Sequence, residues 1–326
     1  MPGPSTRGER AVYSLIVPVF RNALSLPALV AALAELDARL GHQLEVVVVV
    51  DGSPDECAAI LADLLPHQPH PTRLILLSRN FGSFAAIRTG LRRATGPYFA
   101  VLAADLQEPP ELVLQFFQTL ERGDVDVVVG SRLSRADPLL RRLTSRIFWA
   151  LYRRLVVPQI PANGVDVFGC NLAFRDCLIA FEESNTSLIA LLYWLGFRRE
   201  EVEYVRRRRE HGRSAWSLRR RIDYLMDSVF AFTDLPIKLL LGVGVVGVAV
   251  AMVFGAVVLA ARVSGLVVLP GYAATILVVL FFGGINTFGL GLVGAYTWRG
   301  YENSKRRPLA VTMREIEFAR ASDDVG

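Results

Sequence analysis

The amino-acid sequence predicts an α/β protein: a Rossmann-like, doubly wound parallel sheet followed by juxtamembrane amphipathic helices and two C-terminal transmembrane helices. Three observations carry this. Short apolar, β-branched runs alternate with helix-periodic segments before the C-terminal region, which is the rhythm of βαβ units. Polar loops fall at the carboxyl ends of those runs, where open α/β sheets bind their ligands. Two stretches, Leu239 to Ala261 and Val263 to Trp298, contain no charged residue. Each is long enough for a hydrocarbon core of about 30 Å, which takes roughly 20 helical residues.

Taken in order, Tyr13 to Val17 is an apolar strand ending at Pro18. Leu26 to Leu40 combines helical periodicity with good helix formers. Glu45 to Val50 sets five consecutive valines after a glutamate; β-branching makes this a buried parallel strand. Ser53-Pro54-Asp55-Glu56 then reads as a helix start, with Ser at the N-cap, Pro at N1 and Glu at N3. Strands follow at Arg73 to Leu77, Tyr98 to Ala103 and Asp126 to Val129, with helices over Ser83 to Ala94 and Glu111 to Arg122. From Leu139 to Val156, Arg142, Arg146 and Arg153 share one helical face opposite Leu140, Ile147, Leu151 and Leu155. Trp149 and Tyr152 flank the arginines as at a membrane interface, the plainer reading being a solvated face over a packed one. Gly247, Ala251 and Gly255, then Gly291 and Ala295, recur at four-residue spacing, which favours packing between membrane helices or between protomers. Asn286, alone among apolar neighbours, reads as an interhelical hydrogen-bonding group.

Composition narrows the classes of function. Hydrophobic residues make up 52% of the 326, and mean hydropathy is +0.36. A net charge of +5 would suit nucleic acid, but the basic residues crowd towards the apolar stretches. Membrane lipid is therefore the expected partner, and nucleic acid is not. Arg219, Arg220, Arg221 and Lys238 precede the two stretches; Arg299, Lys305, Arg306 and Arg307 follow them, against Arg262 between. The positive-inside bias puts both chain ends in the cytoplasm. Met1 to Arg10 is polar and lacks the apolar core of a signal peptide. Cys57, Cys170 and Cys177 make no metal-spaced cluster and read as reduced thiols.

The chemistry-bearing residues lie in three loops at one sheet edge: Asp51-Gly52-Ser53, Ser78-Arg79-Asn80-Phe81-Gly82 and Asp105-Leu106-Gln107. No Gly-x-Gly-x-x-Gly follows the first strand, and no phosphate-loop Gly-Lys-Ser/Thr occurs, so a dinucleotide or P-loop site is not expected. What remains is a mononucleotide site. A carboxylate after a buried strand, with an amide two residues on, offers hard oxygen ligands to Mg²⁺ or Mn²⁺. Pro109-Pro110 stiffens the exit and can start the next helix.

These residues resemble glycosyltransferase family 2 enzymes that transfer sugar to a polyprenyl phosphate, undecaprenyl or dolichyl. Val17-Pro18-Val19-Phe20 resembles the opening VPVYN, Val50-Asp51-Gly52-Ser53 the DDGS, and Ser78 to Gly82 the SRNFG loop. Asp105-Leu106-Gln107-Glu108-Pro109-Pro110-Glu111 resembles DADLQ-PPE, and Gly130-Ser131-Arg132 the GSR strand end. Asp166 to Cys170, Arg209 to Ser214, and Lys305-Arg306-Arg307-Pro308 look like the later motifs, so the likeness runs from about Tyr13 to Pro308. It departs at Val50 and Ala103, each in place of an aspartate, and at Ser83 and Ala215, where Lys is frequent. Weaker metal affinity is the expected consequence of losing a carboxylate.

The resemblance implies a GT-A-type nucleotide-sugar domain over 11–205 after a polar tail, 1–10. Basic juxtamembrane helices follow over 206–235, two transmembrane helices over 236–298 and a cytoplasmic tail over 299–326. It implies an inverting, multi-pass inner (plasma) membrane enzyme with a cytoplasmic active site. A hexosyl or pentosyl group would pass from a nucleotide-diphosphate sugar to a polyprenyl phosphate for cell-envelope glycan or lipid modification. Association into a homo-oligomer through the membrane helices is also open. Pro18, Asp51, Arg79, Asn80 and Asp105 are the expected nucleotide-binding residues, and Asp105 with Gln107 the metal ligands. Arg132, Arg209 and Ser214 would hold the acceptor phosphate. Asp105 and Asp166 are the candidate catalytic residues, Asp166 orienting the acceptor or acting as base. His211 reads as structural. Each has a plainer reading, such as a turn aspartate for Asp51 and Asp166 or a solvated run for Arg206 to Arg209. Two other functions compete: a processive polysaccharide synthase of the same fold, whose Gln-x-x-Arg-Trp element is absent here, and a membrane scaffold with weakened catalysis.

Overall fold

The computed structural model describes residues 11–133, 148–161, 164–183, 186–207, 218–264 and 271–321. They build an eight-stranded sheet of order β7-β5-β6-β4-β1-β2-β3-β8. Its centre is parallel: β4 (Tyr98–Val101), β1 (Tyr13–Val19), β2 (Leu44–Val50) and β3 (Thr72–Leu77). The valine run occupies β2, and Val46 to Val50 are each at most 3% exposed, as β-branched residues covered on both faces should be. Alternation along β1 sends Leu15 and Val17 into one apolar layer, beneath α1 (Leu26–Arg39), α2 (Cys57–Leu64) and α4 (Pro110–Glu121). Ile16 enters the other layer. There it meets α3 (Ser83–Arg93), α5 (148–155), α6 (Leu172–Ala180) and α7 (Leu188–Trp194).

The sheet is mixed, which corrects the expected all-parallel arrangement. β6 (Val165–Asn171) runs antiparallel between β4 and β5 (Val127–Arg132), while β7 (Arg199–Tyr204) pairs parallel to β5. The eighth strand, β8 (Thr312–Phe318), lies antiparallel on the outer edge of β3. It comes from the segment expected to be a plain tail. Arg73 reaches Glu315 at 3.4 Å and Glu317 at 2.7 Å, and Ile316 and Phe318 pack on the core.

Three local expectations change. β1 continues through Pro18, because the β4 ladder has already ended with the Leu102 N–H donating to Ile16 O at 3.0 Å, so the missing proline donor breaks no pair. The helix expected at Ser53 begins at Cys57. Ser53 instead accepts the Arg21 N–H at 2.8 Å, and Asp55 accepts the Ala23 N–H at 3.3 Å, tying the exits of β1 and β2 together. Tyr152 sits in the core at 0% exposure, not at a membrane interface. Its ring stacks on Tyr224 at 5.9 Å and its hydroxyl hydrogen-bonds Ser187 at 2.8 Å. Met1 to Arg10, Leu139 to Arg146 and Ala215 lie outside the described residues.

Three helices complete the chain: α8 (Leu218–Phe232), α9 (Leu235–Val263) and α10 (Tyr272–Ser304). Among the described residues, one segment meets the length and composition for crossing a membrane: Leu235–Ala261, 27 residues, with an 18-residue stretch of mean hydropathy 2.7. α9 and α10 meet where Gly247 faces Phe282 and Gly289 faces Leu240. Of the glycines in the four-residue stripe, Gly247 lies at this contact, whereas Gly255 and Gly291 face open space among the described residues. Asn286 is exposed and makes no interhelical hydrogen bond among the described residues. Arg299 on α10 pairs with Asp227 on α8 at 2.7 Å.

Candidate active site

Strands β1 to β5 and β7 end at one edge, because β6 alone among them runs backwards. Asp51 follows β2, is 3% exposed, and accepts the Phe81 N–H at 2.7 Å and the Gly82 N–H at 2.8 Å. Burial pushes its carboxyl up from the ordinary value, against the pull of those two amides and of Arg79. Its first structural task is therefore to shape the 78–82 loop. Gly52, at φ +55, lets that loop come close: a Cβ there would lie 2.1 Å from the Arg79 carbonyl carbon. Arg79 is exposed, its guanidinium 4.1 Å from the centre of the Phe81 ring. The Asn80 amide reaches Asp51 O at 3.4 Å. Pro18 is half-buried beside Val49 in β1.

The loop after β4 turns through Leu106, whose φ of +51 is unusual for a branched side chain. The Gln107 N–H donates to Asp105 Oδ1 at 3.3 Å, and both side chains are half-buried. Ala103 supplies no carboxylate. Among the described residues no three His, Cys, Asp or Glu side chains gather to hold a metal. Pro110 opens α4 at the expected place.

Glu108 is the residue to which sequence reading gave no role. It is 1% exposed, with Oε1 3.3 Å from Arg206 Nε and 3.5 Å from the Tyr204 hydroxyl. Burial pushes its carboxyl up; Arg206 and Arg132 pull it down, and Asp105 adds to the rise. Burial, with Glu108 nearby, also raises the Tyr204 hydroxyl to about 12. Just beyond, the Arg207 N–H donates to Gln107 O at 2.8 Å, and its guanidinium meets Glu111 at 3.3 Å. The start of the arginine run thus packs on the loop that carries Asp105. The only sequence signal was an acid inside the loop motif.

Arg132 closes β5 at this edge. Asp166 is the second residue of β6, entering where Ser131 pairs with Val165. Arg208, Arg209, His211 and Ser214 lie outside the described residues.

Comparison with known proteins agrees with this geometry. Residues 14–179 match the model of glycosyl transferase family 2. The chain is 31% identical over 302 residues to the undecaprenyl-phosphate 4-deoxy-4-formamido-L-arabinose transferase of Pseudomonas fluorescens, covering 90% of this chain and 87% of that one. It is 29% identical over 303 residues to a prophage bactoprenol glucosyl transferase homolog of Escherichia coli, covering 92% and 98%. A mannosyltransferase from Pyrobaculum calidifontis, solved with GDP-Man and Mn²⁺, superposes with a TM-score of 0.50 at 19% identity over 90% of this chain and 85% of that one. That likeness bears on the GT-A-like fold alone. With more than half its length matched by the family model and relatives named for polyprenyl-phosphate sugar transfer along nearly all of it, the chain belongs to glycosyl transferase family 2, and the protein is a glycosyltransferase.

Proposed function

We propose that the protein moves a monosaccharide from a nucleotide-diphosphate sugar to a polyprenyl phosphate at the cytoplasmic face of the inner (plasma) membrane. The observation that carries this is the meeting of two regions at one sheet edge. The Asp51, 78–82 and Asp105 loops fit a nucleotide diphosphate, and Arg207 brings the basic run against the last of them.

In this reading Pro18, Asp51, Arg79 and Asn80 shape the nucleotide pocket. Arg132, Arg209 and Ser214 take the acceptor phosphate, and Asp166 orients it. Asp105 and Gln107 fit a small divalent cation in donor chemistry, one carboxylate and one amide, because Mg²⁺ and Mn²⁺ fill much of their shell with phosphate and water oxygens. When bound, such an ion neutralises charge on the leaving diphosphate. A phosphate monoester has its second pKa near about 6 and is mostly dianionic at neutral pH. Its oxygen attacks the anomeric carbon as the bond to the nucleoside diphosphate breaks, inverting that centre. No strong general base is required; holding two anions in line is the work of the arginines.

The membrane arrangement follows the same logic. α9 exposes apolar side chains along its length, Leu239 at 62% and Phe254 at 69% among them, an apolar area too large for a water-facing helix. β8 pairs with β3 after α10, so a chain that leaves the sheet through α9 has to return through α10. Trp298 and Tyr301 are exposed near the end of α10, with Lys305 Nζ over both rings, as at a headgroup boundary. This supports a two-helix hairpin with both ends cytoplasmic.

The test is incubation of membranes carrying the protein with radiolabelled nucleotide sugars and polyprenyl phosphate. A lipid-linked monosaccharide is expected; a long polymer, or no lipid product with any donor, overturns the reading. Ala103 and Val50 favour one rival, a scaffold with weakened catalysis, and absence of nucleotide binding with Mg²⁺ or Mn²⁺ present would support it.

A further inference from the structure

A glutamate is almost never fully buried unless paired, and Glu108 is 1% exposed. Its Oε1 faces Arg206 and Tyr204, while Oε2 is buried with no hydrogen-bond partner among the described residues. Too deep to touch a substrate, it is still flanked by both halves of the site. Asp105 and Gln107 precede it in the same loop. Arg206 and Arg207 come from the far end of β7, and the charge of Arg132 acts on it from β5. Breaking a buried ion pair leaves an uncompensated charge, whereas an apolar replacement of both partners is frequently tolerated. What the carboxylate supplies here is thus a fixed geometry between two chain segments.

We propose that Glu108 is a positioning residue that couples the donor loop to the acceptor side. It holds Arg206, and with the Arg207–Gln107 bond it sets the start of the arginine run at a defined place beside Asp105. The acceptor half of this statement rests on the function proposed above.

The test uses the full-length protein and Glu108→Gln, which keeps the shape and removes the charge. The KM for polyprenyl phosphate should rise about tenfold as the buried ion pair with Arg206 is lost, with the nucleotide-sugar KM unchanged. Glu108→Asp should recover most of the loss. The double variant with Arg206→Gln should be no worse than Arg206→Gln alone, because the two residues act as one unit. Equal rises in both KM values, or a lower melting temperature with unchanged kinetics, would overturn the proposal by making Glu108 a general structural residue. Amide hydrogen exchange at residues 205–207 gives a readout independent of the acceptor. Faster exchange of Arg207 in Glu108→Gln supports the coupling, and unchanged exchange overturns it. Should the wild type form no lipid product, the acceptor reading fails while the exchange result still decides the coupling.

Discussion

The two edges of the sheet treat their acidic residues differently. At the edge where the strands begin, carboxylates are fully used. Glu45 accepts from the Ser14 hydroxyl and from the amides and hydroxyl of Thr95 and Gly96. Asp37, 0% exposed, accepts from the Leu44 N–H at 3.2 Å and pairs with His42 at 2.8 Å. Asp126 accepts from Asn171 and twice from the Arg198 side chain. At the edge where the strands end, Asp51 and Glu108 are buried with their carboxyls pushed up. One edge closes the fold with satisfied carboxylates; the other holds buried carboxyls displaced from their ordinary values where a ligand is expected.

Four substitutions can break or sharpen that contrast. Asp105→Ala should cut sugar transfer by about 10³-fold, the scale for losing one group that stabilises transition-state charge, with membrane insertion intact; labelled-donor turnover measures it. Gly52→Ala should destabilise by about 3 kcal/mol, combining positive φ with overpacking, and should weaken nucleotide binding, seen by thermal melting with and without nucleotide. Glu45→Gln, at the opposite edge, should cost about 1–2 kcal/mol of stability and leave turnover unchanged. An activity loss there would erase the distinction between the edges. Asp126→Asn should act through pH. The Arg198 side chain holds the Asp126 carboxyl below its ordinary 3.8, so its stabilisation is present above that value and lost as pH falls through the lower, folded-state one. The variant should show a shallower loss of melting temperature below about pH 4.

Burial on both faces made part of the fold legible. The valine run of β2 admits one environment, and it lies at the sheet centre. β8 was not legible, because Thr312-Met313-Arg314-Glu315-Ile316-Glu317-Phe318 is charged as an edge strand should be, and its meaning depends on Arg73 and Arg93 far along the chain. β6 was not legible as a strand at all, because Asp166 to Cys170 reads only as a motif, and periodicity carries no strand direction in any case. In the site, Asp51 and the 78–82 loop were legible as motifs, but their mutual hydrogen bonds were not. Glu108 looked like one more loop acid, because its burial is supplied by Tyr204, 96 residues later.

The pairing of β8 with β3 also orders the birth of the protein. Arg320, just past β8, donates to Pro69 O across 251 residues of chain. A ribosome adding roughly 5–20 residues per second leaves the outer edge of β3 bare for about 10–50 s, while α9 and α10 emerge. An interrupted chain that lacks Thr312 onwards keeps that edge open to any passing strand. The strand made after α10 is therefore also the seal that separates a finished sheet from a sticky fragment.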